Sequence, residues 1–332
     1  MVIIMDNLLG NADQKGDFCF LANLKKYLSA YKIWYEEFWL GGIVGVMGFY
    51  FTTITTGIPS VVHGRSEEFE SLFSRLNEYF IKPLQKEQFT CKELALNRIS
   101  DLLEAKVIPM LWLDEFFLPE AYNYQKSHLW VMAVILEDSD TALTIFSNEK
   151  IMVSKANMNQ MMQKDGIIEI QYTLDNQIGW KYTEKELVVK GLLQVVDNIR
   201  KISKAQEEYY GITGMRHFKL SFEKSQNQKE IYKYFYEMNR GGGLYKTRRN
   251  MRMFLEEVMK KWPCDEAHQC VLIYGEIERQ WEKISNLIFK LSIYMDLALQ
   301  QRIAKRIEQI IILEEQGIEH IENLIKILVK IN

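Results

Sequence analysis

With 332 residues, 48% of them hydrophobic and 26% charged, the chain is long enough for two globular domains, and its 5 prolines and lack of low-complexity runs exclude disordered and fibrous classes. A formal net charge of −3 and a pI near 6.1 leave no basic field for a phosphate backbone, so nucleic acid is not an expected partner. The longest apolar stretch, Phe38 to Tyr50, is broken by Gly41, Gly42, Gly45 and Gly48 and falls short of the ~20 residues of a membrane span, so no membrane is expected either.

The start, Met1 to Met5, is apolar but turns polar at Asp6 without a positive flank or a small-residue cleavage site, which makes a cytoplasmic location the expectation. From Asp17 to Leu40, Phe20, Leu21, Leu24, Leu28, Tyr31 and Trp34 recur at helical steps, so Cys19 sits at a helix start. After the glycine-broken segment, Ser66 to Phe80 reads as a second helix and Cys91 to about Ala105 as a third. Val107 to Leu113, His128 to Leu136 and Ala142 to Ser147 read as strands, the last ending at Asn148. Glu137 to Asp140 is an acidic turn, and the three strands are plausible neighbours in one antiparallel sheet. Residues 151 to 183 are mixed, with one more strand at Ile167 to Tyr172. Beyond Glu184 the pattern is helical, closing on an amphipathic stretch from Gln280 to Ile331 interrupted at Gly317. The expectation is an α+β chain with a mixed domain over 1–184 and a helical domain over 185–332.

A cysteine at a helix N-terminus has its thiolate favoured by the helix dipole, and a neighbouring imidazolium lowers its pKa further. Cys19, His128 and Asn148 follow the order of papain-like cysteine enzymes: nucleophile on the first helix, base on a strand, and a ring-orienting residue on the next strand. Singly, each has a plainer reading, as a core thiol, a structural histidine and a turn residue. Cys91 also begins a helix, where Thr90, Cys91 and Glu93 form a capping sequence, while Cys264 and Cys270 straddle a loop as inert thiols. The four cysteines are too scattered for a disulfide framework or a zinc site, and His63, His217, His268 and His320 lack metal-ligand spacing. Gly241-Gly242-Gly243 runs into Leu244-Tyr245 with no preceding strand, a helix-breaking turn rather than a phosphate loop.

Several segments together resemble a known family. Cys19-Phe20-Leu21-Ala22-Asn23-Leu24, Tyr35-Glu36-Glu37, Leu40-Gly41-Gly42 and Gly48-Phe49-Tyr50 resemble the N-terminal domain of the butirosin biosynthesis protein H family. Pro109 to Asp114, Leu118-Pro119 and His128-Leu129-Trp130-Val131 continue the likeness, and Met238 to Tyr245 with Arg248-Arg249 and Phe254 to Glu257 resemble the domain that follows in that family. The resemblance implies a papain-like fold with a helical C-terminal domain, and because amide formation must exclude water that domain is the candidate for a lid. It implies an amide-forming acyltransferase in which Cys19 takes an acyl group from an acyl-carrier-protein thioester and passes it to a small amine. His128 serves as base, Asn148 orients the ring where relatives often carry Asp, and Gln14 is a weakly matching oxyanion donor. No cofactor is implied beyond the phosphopantetheine on the carrier partner. Lys25, Lys26 and Lys32, or Arg248, Arg249 and Arg252, are candidate carrier-docking cations. Self-association into a homo-oligomer stays open, as do two rival readings: a hydrolase of the same fold and a non-catalytic helical interaction protein.

Overall fold

The computed structural model of the protein describes residues 19–52, 61–64, 69–118, 124–125, 130–147, 150–162, 166–174, 178–202, 208–224, 243–294 and 296–331. In chain order the elements are α1 (Cys19–Ala30), α2 (Glu37–Ile43), β1 (Tyr50–Thr52), β2 (Val61–His63), α3 (Phe69–Tyr79), β3 (Gln85–Phe89) and α4 (Lys92–Glu104). There follow β4 (Met110–Asp114), β5 (Trp130–Asp138), β6 (Ala142–Phe146), β7 (Lys150–Ser154), α5 (Met158–Met162) and β8 (Ile168–Tyr172). The remainder is α6 (Glu184–Arg200), β9 (Glu208–Tyr210), α7 (Gly211–Lys224), α8 (Leu244–Lys261), α9 (Asp265–Tyr294) and α10 (Leu297–Lys330). Helices and antiparallel sheets make this an α+β protein. Two compact units emerge, residues 1–37 with 77–181, and residues 38–76 with 182–332.

The first unit is built on a six-stranded sheet of order β3-β8-β4-β5-β6-β7, antiparallel at every pairing. The three expected strand neighbours are β4, β5 and β6. Ala95, Ile99 and Leu102 of α4 share a core with Leu111, Leu113, Ala133, Ile135, Leu143 and Ile145, the odd-numbered positions of the three strands. Because side chains alternate across a strand, the buried Met110, Met132 and Val134 belong to the opposite face. Helix α1 packs against β5. Burial on both faces explains why β5 reads as a continuous apolar run from Val131 to Leu136. At the sheet edge Arg98 donates to Glu87 (2.8 Å) and to the Tyr172 hydroxyl (2.7 Å), and the guanidinium holds the Glu87 carboxyl below its ordinary range.

The helix expected over Asp17 to Leu40 is two helices, because the chain turns at Tyr31 to Glu36. Lys32 lies at φ 63°, with its amide bonded to Ser29 O (3.0 Å) and the next amide, of Ile33, to Leu28 O (3.1 Å). This is a Schellman stop, ordinarily marked by glycine. Trp34, expected on the apolar face, is 63% exposed as a result. Helix α4 ends the same way at Lys106, φ 60°. Glu137 and Asp138, expected in a turn, are paired in β5 past a register irregularity, and Ser139 closes the turn by donating to Ala142 O at 2.9 Å.

The second unit is helical apart from the small sheet β2-β1-β9. Thr183 opens α6 with a capping box, its hydroxyl accepting from the Glu186 amide and the Glu186 carboxylate accepting from the Thr183 amide at 2.8 Å. The long helices α9 and α10 pack together. Gly317, expected to interrupt the last helix, lies inside α10, where an added Cβ would stand 3.1 Å from the Tyr274 ring. The interruption falls instead before Asp296, whose carboxylate caps α10 by accepting from the Ala298 amide at 2.8 Å. Glu308, Glu315 and Glu322, seven residues apart on α10, pair with Lys219 (2.9 Å), Arg216 (2.5 Å) and Arg200 (2.7 Å) of α7 and α6.

Residues 38–76, read from the sequence as part of the N-terminal domain, belong to this helical unit. Tight packing and buried polar contacts place them there. A Cβ at Gly191 of α6 would lie 2.0 Å from Gly42 O, so the two backbones touch. Asn198 donates to Gly45 O (2.8 Å) and Met47 O (2.9 Å). Arg248, fully buried, donates through Nε to Glu314 Oε1 at 2.7 Å and through Nη1 to Gly48 O (2.6 Å) and Gly64 O (3.2 Å). Removing one member of such a pair strands a buried charge. Glu314→Ala is expected to destabilise the protein by about 3–5 kcal/mol. Glu315→Ala, which removes the exposed partner of Arg216, is expected to cost under about 1 kcal/mol. Urea unfolding midpoints of the two variants measure the contrast.

Candidate functional site

The backbone of Cys19 is described and opens α1, as the sequence reading expects. Gln14, His128 and Asn148 lie outside the described residues. The frame around these positions is nonetheless defined, since β5 begins two residues after His128 and β6 ends two residues before Asn148. Both strand termini lie at one end of the sheet, together with the end of β4, where Asp114 is paired with Trp130.

Helix α1 is fastened to this end by polar contacts that the sequence reading did not single out. The Ile135 amide donates to Pro109 O at 2.9 Å, so odd-numbered residues of β5 direct their backbone groups toward β4 and even-numbered ones toward β6. Strand β6 ends with Phe146 opposite Val134. The next even-numbered carbonyl, that of Met132, accepts instead from the side-chain amide of Asn23, which is fully buried on α1. One turn further along α1, the ammonium of Lys26, 7% exposed, stands 5.3 Å from the centroid of the Phe146 ring. Asp114, 3% exposed, accepts the Phe116 amide at 3.0 Å and so caps the short 3-10 turn at Glu115–Phe117. Ser147, 8% exposed, is a further buried polar residue just after the end of β6. Residues 19, 23 and 26 follow one another at i, i+4 and i+7, one stripe of the helix. A polar residue repeating on the apolar stripe of an amphipathic helix is the sequence signal that marks Asn23 and Lys26.

The other thiols have different surroundings. Cys91 is the N-cap of α4, and its Sγ donates to Glu93 Oε2 at 3.0 Å, so its nearest charged partner is anionic. Cys270 is buried in α9, and burial, then the Glu266 carboxylate, pushes its thiol up to about 12. It lies within the helix rather than at a loop, whereas Cys264 precedes α9. His217 stacks on Tyr209 with centroids 3.8 Å apart, and His320 Nδ1 lies 2.6 Å from Glu266 Oε2. Among the described residues no group of three His, Cys, Asp or Glu could hold a metal ion, and no helix is long and apolar enough to cross a membrane.

The expected docking cations are not all on the surface. Lys26 and Arg248 are buried, Lys25 pairs with Glu36 at 2.7 Å, and Arg252 pairs with Glu256 and Glu278, each at 2.5 Å. The physical reason is the same in each case: apolar cover or a carboxylate neighbour occupies the side chain.

No protein-family model matches the chain, and no curated protein is significantly similar to it.

A thiol pushed up to about 12 is ionised to only about 10⁻⁴ at pH 8, and alkylation requires the thiolate. Cys270 is therefore expected to stay unmodified by iodoacetamide in the folded protein at pH 8 and to react fully in urea, read by peptide mass mapping. Because the unfolded thiol ionises first, Cys270 removes stability from the folded state as pH rises from about 9 toward 12.

Proposed function

We propose that the protein is a cytoplasmic, papain-like cysteine acyltransferase that forms amides, a relative of the butirosin biosynthesis protein H family. One observation carries the reading: the helix opening at Cys19 is fastened by Asn23 to β5, whose start follows His128 by two residues, beside β6, whose end precedes Asn148 by two. The described neighbours of the three positions, the start of β5, the end of β6 and the helix fastened there, support a common site at one end of the sheet. The anionic neighbour of Cys91 and the raised thiol of Cys270 further favour Cys19 as nucleophile.

In this reading His128 takes the Cys19 proton, and the thiolate sulfur attacks the carbonyl carbon of an acyl-carrier-protein thioester. The new sulfur–carbon bond forms as the bond to pantetheine sulfur breaks, and the imidazolium returns its proton to the departing thiolate. A small amine then attacks the acyl-enzyme, gives its proton to His128 and releases Cys19 as thiolate. Asn148 holds the imidazole by accepting from its N–H, and Gln14 donates to the developing oxyanion. Amide formation needs water kept out while the amine enters.

The second reading, a non-catalytic interaction protein, is favoured by the apolar residues Phe289, Ile293, Tyr294 and Leu297, exposed by 44% to 72% where α9 gives way to α10. Incubation with an acyl carrier thioester and an amine, followed by mass spectrometry, separates the readings. An amide product, a single acyl adduct on Cys19 and a loss of about 10³-fold or more in Cys19→Ala are expected. Free acid without amide indicates the hydrolase, no turnover with partner binding retained in Cys19→Ala indicates the interaction protein, and full activity in Cys19→Ala indicates Cys91 as the nucleophile.

A further inference from the structure

We infer that Asn23 is a positioning residue of the reaction, setting the register of the Cys19-bearing helix on β5 through its amide bond to the Met132 carbonyl. The inference rests on the acyltransferase reading above. Much of the packing of α1 is apolar: Phe20, Leu21, Leu24 and Leu28 are buried. Burial of this kind changes little when a helix glides along or rotates on the sheet. An amide–carbonyl hydrogen bond is different, because it weakens steeply once distance or angle departs from its optimum. The buried Asn23 bond joins residues 109 positions apart and supplies a partner to a β5 carbonyl that lies beyond the end of β6. If α1 moved away, the buried Asn23 amide and the Met132 carbonyl would lose this bond to one another.

Cys19 lies one turn from Asn23, about 6 Å along the axis at 1.5 Å per residue. Any displacement of α1 at Asn23 is therefore carried almost rigidly to residue 19. Proton transfer between thiol and imidazole works only within hydrogen-bond reach, and a shift of about 1 Å can cost ~10²-fold in rate. The apolar contacts thus hold the helix on the sheet, and the Asn23 bond favours one position along it.

The test compares the intact chain with Asn23→Leu, which keeps volume and removes the donor, with Asn23→Ser, which keeps a shorter donor, and with Leu28→Ala, which removes apolar contact on the same helix. Iodoacetamide alkylation of Cys19 is followed against pH by peptide mapping, with Tm and steady-state acyl transfer for each protein. The unaltered protein is expected to alkylate at Cys19 with an apparent pKa below that of a free thiol. Asn23→Leu is expected to move that midpoint up by about one pH unit or more and to lower kcat by roughly 10–100-fold, with the KM for the carrier little changed. Asn23→Ser should lie between. Leu28→Ala should lower Tm while leaving the alkylation midpoint in place. An unchanged midpoint in folded Asn23→Leu or Asn23→Ser, or an equal shift in Leu28→Ala, overturns the inference and leaves the acyltransferase reading intact. Absence of low-pH alkylation of Cys19 in the unaltered protein overturns both, and is recognised without any Asn23 variant.

Discussion

The guanidinium of Arg248 and the carboxylate of Glu314 lie wholly out of solvent, and the helical unit is arranged around that pair. Two charges cannot be taken from water at small cost unless their remaining polar atoms are also satisfied. Arg248 meets part of this demand with the carbonyls of Gly48 and Gly64, from a segment nearly 200 residues earlier in the chain. The helices between residues 182 and 332 are therefore incomplete without residues 38–76. The glycines of that segment have the same cause. At Gly42 a Cβ would stand 2.1 Å from the Phe254 ring, and at Gly64 it would stand 2.2 Å from the Thr247 hydroxyl. A run that resembles a failed membrane span is a strip of backbone thin enough to lie between helices.

The sheet unit solves a different problem. Its central strand is buried on both faces, which stabilises it but leaves little room for polar chemistry along its length. Polar groups collect where the strands end: Asp114 at the close of β4, Ser147 just after β6, and Asn23 and Lys26 from α1. Strand ends are where a rigid framework can hold reactive groups without leaving backbone unpaired inside. A nucleophile on the first turn of α1 would stand on such a frame. Its thiolate would be favoured by the helix dipole, and its helix would be fixed on the strand that follows the proposed base.

The parts of this architecture that depend on local periodicity were legible in the sequence. The 3.6-residue spacing of Phe20, Leu24 and Leu28 marks α1, and the apolar runs mark β4, β5 and β6, because burial of one face imposes those patterns. What was not legible depends on neighbours distant in the chain. Lys32 and Lys106 adopt left-handed conformations that glycine would have advertised, so the end of α1 was read some ten residues late. Gly317 was read as a break because glycine usually weakens a helix, whereas here it makes room for the Tyr274 ring. The membership of residues 38–76 in the helical unit is carried by Gly191, Asn198 and Arg248, none of which is adjacent to that segment in sequence. Of the candidate site, the position of Cys19 at a helix start is readable in the sequence, while the Asn23 bond is not, because its partner Met132 lies 109 positions away.

Two cysteines of this chain stand at helix starts, so the helix dipole alone does not choose between them. The neighbouring groups make the difference. Cys91 donates its S–H to the Glu93 carboxylate two residues on, and it caps a helix whose buried face is apolar. The first turns of α1 contain no acidic residue, and the next polar positions on the stripe from residue 19 are an amide and an ammonium. The helix dipole, and the Lys26 ammonium on the same stripe, are what a proposed thiolate at the start of that helix would use. The proposed choice of Cys19 over Cys91 thus rests on the bond that fastens α1 to β5 and on the carboxylate beside Cys91, rather than on the presence of a cysteine at a helix start.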